Sequence, residues 1–252
     1  MVALGEILIV ALIVAAAVGI HAVIQRRSDY HRLQDHNDVA GFLLSVVGVT
    51  YAVLLGFVVV LVWQRYAAAQ DYVQQESAAV ADAYRVAAGF PQPLRGAVRA
   101  DLREYVQSVV RREWPAMRRG IVIGSSSSLE RAAYDVDTFR PGNAGEVNVQ
   151  QSAMRELHAV FDARRRRFAQ VAPSVPPILW IALVAGGIVT LFFTYLLGTA
   201  NRAAQLAMTA AVAGIVAVLF VVIGEFDTPY SGAVAVQPSN WAIVSQQLPT
   251  LR

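Results

Sequence analysis

Three acids and a run of four arginines are the side chains of this sequence best placed to do chemistry. Glu225 and Asp227 close its last long apolar run, and Glu76 falls on the seam of a heptad pattern. Carboxylates in such places can ligate a hard cation such as Ca²⁺ or favour cations at a pore mouth. Two acids at a helix C-terminus also oppose the helix macrodipole. Something is therefore expected to hold them: a cation, an arginine from another segment, or the backbone amides of the following turn, with a plain aqueous boundary as the alternative. For Glu76 the competing use is a polar packing or register device. Arg164-Arg165-Arg166-Arg167 precedes the third apolar run. It reads as a solvated helix face, as a contact for anionic lipid head groups at ~1 kcal/mol per cation, or as an attractor of anions towards a pore mouth.

Other chemistries find little support. The histidines are His21, His31, His36 and His158, and none has the spacing of a zinc or di-metal helix motif. Asp29, His31, Asp35, His36 and Asp38 crowd one short loop, which reads as solvated. With no cysteine there is no disulfide framework and no thiolate nucleophile. A phosphate-binding glycine loop, a Gly-x-Ser-x-Gly elbow and nucleic-acid motifs are all missing from the sequence. The expectation is a protein that is not an enzyme, needs no cofactor or resident metal, and binds no nucleic acid.

The elements that position these groups are set by four apolar runs, about Ile7–Ile24, Phe42–Trp63, Ile178–Leu197 and Ala203–Ile223. Each is free of Asp, Glu, Lys and Arg, and a helix of about 20 residues crosses ~30 Å of hydrocarbon. Hydrophobic residues make up 56% of the 252 and charged residues 15%, which is too apolar for a soluble domain of ordinary composition. The reading is a multi-pass membrane protein whose lipid-bilayer contact is built from two helix pairs. The first run lacks a basic leader, since Arg26-Arg27 follows it, so it reads as a retained helix rather than a signal peptide. All 21 basic residues are arginine, as in a GC-rich prokaryotic genome. Near the span ends, Arg26, Arg27, Arg32 and Arg202 stand on one side against Arg65 and Arg164 to Arg167 on the other, so charge does not fix orientation.

Between the pairs lies a helical middle. Tyr66, Val73, Val80 and Ala87 recur every seven residues, with Ala69, Glu76 and Ala83 between them, so the second span is expected to continue as one long helix. Pro91 and Pro93 stop it. Leu94, Val98, Leu102, Tyr105 and Val109 form a second stripe that ends near Trp114-Pro115. A serine-rich loop (Gly120–Ser128), a short helix (Leu129–Thr138), a break (Arg140–Gly145) and a helix over Ser152–Val171 follow. The expected partition is 1–63, 64–172, 173–223 and an acidic motif with its tail over 224–252.

Small residues line both long runs of glycine and alanine in the spans. Gly41, Ser45, Gly48, Ala52 and Gly56 share one face of the second, which implies either close helix packing or, with Val49, the wall of a narrow apolar pore. Ala203, Ala207, Ala210, Gly214 and Ala217 run along the fourth.

Three motifs carry a family resemblance: Gly41 to Phe57 (GFLLSVVGVTYAVLLGF), Glu113-Trp114-Pro115-Ala116-Met117, and Gly224-Glu225-Phe226-Asp227-Thr228-Pro229-Tyr230-Ser231-Gly232. Together they resemble a bacterial family of unknown function called bestrophin-like. The resemblance implies a link to bestrophins, oligomeric channels with four membrane helices per subunit, a pore lined by the second helix and a helical cytosolic domain. It thus implies an all-α membrane protein with two helix pairs around a helical extramembrane domain. By bestrophin analogy it is a homo-oligomer, a pentamer with a tetramer as the alternative, in the bacterial inner membrane. Pore-lining positions would be Ser45, Gly48, Val49, Ala52 and Gly56. The end of the fourth span resembles the acidic run that helps form a calcium clasp in animal bestrophins, although here the acids are only Glu225 and Asp227. Arginine abundance favours anions as the inorganic ions carried, and carboxylates near the mouth favour cations. The competing expectation is a non-conducting sensor or scaffold whose helical domain binds a partner.

Overall fold

The computed structural model describes residues 2–27, 37–199 and 201–248, and these are helical with no strand among them. The loop residues Asp29, His31, Asp35 and His36 lie outside the described residues, while Asp38 lies in the first turn of the second helix. The chain divides into two compact units, one of Met1–Gln64 with Pro173–Asp227 and one of Arg65–Ala172 with Thr228–Arg252.

The first unit is the membrane part. Its helices are α1 (Val2–Arg27), the leading half of α2 (Asn37–Val86), α7 (Pro177–Leu196) and α8 (Arg202–Asp227), and all four are long and apolar enough to cross a bilayer. Valine is the commonest residue of these segments, a type that favours strands in water. In hydrocarbon an open strand would leave its backbone groups unpaired, so the helix wins. Pro177 sits in the first turn of α7, where its missing N–H is no loss.

Contacts inside this unit are specific. Tyr51 of α2 donates to the Leu183 carbonyl (2.9 Å). Its ring lies where a side chain on Gly186 would be, since a Cβ there would collide with Tyr51 Cδ2 and Cε2. Tyr51, Leu55, Val58, Val62, Leu183 and Ile223 form the core. α1 packs along α8, whose buried face is Gln205, Thr209, Ala213 and Ala217. The expected stripe of small residues on α8 is thus only partly buried, with Ala203 and Ala207 exposed. Two polar residues replace them because each has a partner: Thr209 Oγ1 lies 2.6 Å from His21 Nδ1, and Gln25 donates to Gln205 at 2.8 Å.

In the second unit, α2 continues to Val86 and a short 3₁₀ turn (Ala87–Gly89) leads to Pro91. The heptad positions Ala69, Val73, Glu76, Val80, Ala83 and Ala87 are its buried face. Next come α3 (Leu94–Ser108), a π-helical turn (Val109–Glu113), α4 (Trp114–Met117) and α5 (Ser127–Thr138). α6 (Ala144–Ala169) starts well before Ser152 because Asn143 caps it, its Oδ1 accepting from Glu146 N at 2.9 Å, while Glu146 accepts from Gly142 N. The described residues after Thr228, expected as a tail, are folded into this unit. They include α9 (Ser239–Gln247), and Trp241, Val244, Leu248 and Tyr230 enter the core of this unit.

Candidate functional site

The small-residue face of α2 is open within the chain. A Cβ added at Gly41, Gly48 or Gly56 would meet nothing within 4 Å, and Ser45, Val49, Ala52 and Gly56 are exposed, with Gly48 half-buried. Ser45 and Thr50 donate to carbonyls one turn back, Gly41 and Val46, at 2.9 Å each. Their hydroxyls are thereby satisfied on the helix itself, so the face presents an apolar wall. Close packing against another helix of the same chain is not what these glycines serve. Alongside runs an apolar groove of about 510 Å³ between α2 and α8, lined by Gly48, Ala52, Gly56, Ile215 and Leu219 among others.

The acids ending α8 have separate partners. Asp227 is buried, and its Oδ1 accepts from Ser174 N (2.7 Å), Ser174 Oγ (2.8 Å) and Val175 N (2.9 Å). Backbone amides therefore hold the charge against the macrodipole, but they come from the segment before α7 rather than from the following turn. Glu225 is half-buried beside the Glu6 carboxyl of α1. Among the described residues no group of three or more potential metal ligands converges.

Glu76 meets its counter-charges inside the second unit. Arg167, fully buried on α6, donates through Nε to Glu76 Oε2 (2.5 Å) and through Nη2 to Glu76 Oε1 (3.0 Å) and to Glu113 Oε2. Arg164, one turn earlier, donates to Glu113 Oε1 (2.9 Å) and to the Ile123 and Gly124 backbone carbonyl oxygens of the serine-rich loop (3.0 Å each). The Tyr105 hydroxyl donates to Glu76. Two carboxylates and two guanidiniums thus close a neutral cluster in the core. Burial, and then the Glu76 charge, push the Tyr105 hydroxyl well above its ordinary pKa. Desolvation works against the Arg167 charge, and Glu76, Tyr105 and Glu113 outweigh it, so that the guanidinium is held above its ordinary value.

The arginine run is therefore split by the helix period. Arg164 and Arg167 point inward and are corrected from surface or ion-attracting residues to internal counter-ions, because each is already paired to a buried carboxylate. Arg165 and Arg166 stay exposed, Arg165 paired with Asp162 and Arg166 lying 5.9 Å from the Tyr72 ring. The role of Glu113 escaped sequence reasoning, which had it only as part of a motif. A signal existed: the apolar stripe Leu157, Phe161, Phe168, Val171 has a gap that Arg164 fills at helical spacing.

A family profile described as Bestrophin-like domain matches residues 11–241. The chain belongs to the bestrophin-like family. No curated protein matches it. Among solved structures, a bacterial bestrophin homologue from Klebsiella pneumoniae shares 13% identity at a TM-score of 0.70, covering 97% of each chain. A single-substitution variant of such a homologue aligns at 14% identity and TM-score 0.71, over 95% of this chain and 99% of that one. Another, described as a membrane protein, aligns at 12% identity and TM-score 0.70, over 96% of this chain and 98% of that one. At these identities the likeness establishes the fold, which for this bestrophin-like chain is all-α with four apolar membrane helices. Two of the three motifs meet in the second unit, where Trp114 packs edge-to-face on Tyr230 at 5.6 Å.

Proposed function

We propose that this bestrophin-like chain forms a homo-oligomeric ion channel of the bacterial inner membrane, conducting passively through a pore lined by α2, with its second unit in the cytosol. The observation that carries the reading is the open, hydrogen-bond-satisfied face of α2 at Ser45, Gly48, Val49, Ala52 and Gly56, whose neighbour must come from outside the chain. Family membership supports it, as does the shared fold with bacterial bestrophin homologues. Such a wall gates by dewetting rather than by charge. Ion sign is then set at the mouths, and anions are favoured because the wall carries no carboxylate and Asp227 is engaged by amides. The subunit count in this reading is five, by analogy.

Conductance of the purified protein in planar bilayers tests the proposal. Ser45→Phe and Val49→Trp should each suppress current, and reversal potentials in asymmetric chloride salts should track the anion gradient. Unchanged current in both variants would move the pore off this face. Folded protein that never conducts, under several salts and voltages, would favour the sensor or scaffold reading instead.

A further inference from the structure

A cavity of about 380 Å³ opens between the π-helical turn and the start of α5, lined by Arg111, Arg112 and the four consecutive serines Ser125 to Ser128. Its volume is in the range of small-ligand sites. The π turn accounts for the placement. One extra residue in the turn lets Glu113 face the core while Arg111 and Arg112, its neighbours, are both exposed at the cavity. Neither arginine side chain has an ion pair or hydrogen bond among the described residues. Glu104 also lines the cavity, but its carboxylate accepts from Arg131 (2.7 Å), which is paired in turn with Asp101.

The serines give the second observation. Ser126 and Ser128 are more than nine-tenths buried, at 7% and 2% exposure, and each has only the other's hydroxyl as a side-chain partner, at 3.4 Å. That distance is too long for a good O–H···O bond. Only one of the two hydroxyl protons can lie between them, so the pair keeps a second O–H to donate to a ligand in the cavity that both residues line. No side chain caps the N-terminus of α5, where first-turn amides favour an anion. The loop itself is pinned in place by Arg164 through the Ile123 and Gly124 carbonyls.

We propose that this cavity binds a phosphate-type oxyanion, a phosphate monoester or inorganic phosphate, with Arg111 and Arg112 as the cationic partners and the serine hydroxyls and α5 amides as neutral donors. Planar guanidiniums and several converging N–H and O–H donors suit a multiply charged tetrahedral anion better than a halide. The assignment does not depend on whether the protein conducts.

The test is calorimetric titration of inorganic phosphate into the full-length protein in phosphatidylcholine nanodiscs at low salt. Saturable binding is expected, weakened roughly tenfold by Arg111→Gln or Arg112→Gln and more by both together, since each removes a charged donor. Both arginines are exposed, so the variants should unfold at the wild-type temperature. Repeating the titration in discs containing phosphatidic acid separates the two sources of the same chemistry. Loss of the phosphate signal there means that the site takes a lipid head group, and an unchanged signal means that it takes a soluble phosphate. No saturable binding in phosphatidylcholine discs, or binding unaffected by the double variant, would overturn the proposal.

Discussion

The membrane unit carries glycines on two helices, and they do opposite things. On α7, Gly186 is covered by the Tyr51 ring, leaving no room for a side chain, and Gly187 lies closely against the Tyr51 hydroxyl and Val216. On α2, Gly41, Gly48 and Gly56 have open space where a side chain would stand, with nothing of their own chain within 4 Å of an added Cβ. The residue type is the same and so is the solvent, and the difference is whether the partner was supplied in cis. The arginine run repeats the lesson in the second unit: Arg164 and Arg167 are closed on Glu113 and Glu76, while Arg165 and Arg166 face outward. Faces closed within the chain should control stability, and open faces should control assembly and transport.

Breaking the closed charge cluster has the largest expected effect. Arg167→Ala should cost about 3–5 kcal/mol in denaturant unfolding, because two carboxylates would lose a buried counter-charge. Arg166→Gln, one position away, should stay within about 0.5 kcal/mol; equal losses would erase the distinction between inner and outer arginines. Next comes Gly186→Ala, expected to cost about 1–3 kcal/mol through overpacking against the Tyr51 ring. Gly48→Ala should leave protomer stability unchanged in the same assay and alter only oligomerisation or current.

A smaller effect is expected at Asp227. Asp227→Asn keeps an acceptor for the Ser174 and Val175 amides but loses the charge, at about 1 kcal/mol, and a calcium titration of the wild type that leaves the melting temperature unmoved would show that these amides alone suffice. The pH dependence sharpens the contrast last. The raised pKa values of Tyr105 and Tyr230, both due first to burial, mean that their contribution is full below the unfolded tyrosine value of about 10 and is lost as pH rises above it. Alkaline unfolding should therefore report the closed core of the second unit. Tyr105→Phe should flatten that alkaline slope while lowering stability at neutral pH, since Glu76 loses a donor.

Much of the architecture was legible beforehand. The four spans follow from runs of about 20 apolar residues, and the heptad seam from Tyr66 to Ala87 named the buried face of α2, Glu76 included. The start of α6 was missed because a glycine-rich break hid a side-chain cap at Asn143, and α9 was missed because nine residues with one tryptophan make too short a periodic signal. At the candidate site, the alternation of Arg164 to Arg167 between core and surface was implicit in the helix period, but the four look alike in a linear reading.

The sequence by itself determined that this chain crosses a membrane, that its second span runs on as a helix, and that its motifs are those of the bestrophin-like family, because length, hydropathy and period are local properties. Only the tertiary structure decided which charges neutralise one another and which glycines are filled. Glu76 and Arg167 are 91 residues apart in the chain, and so no local pattern encodes that they meet.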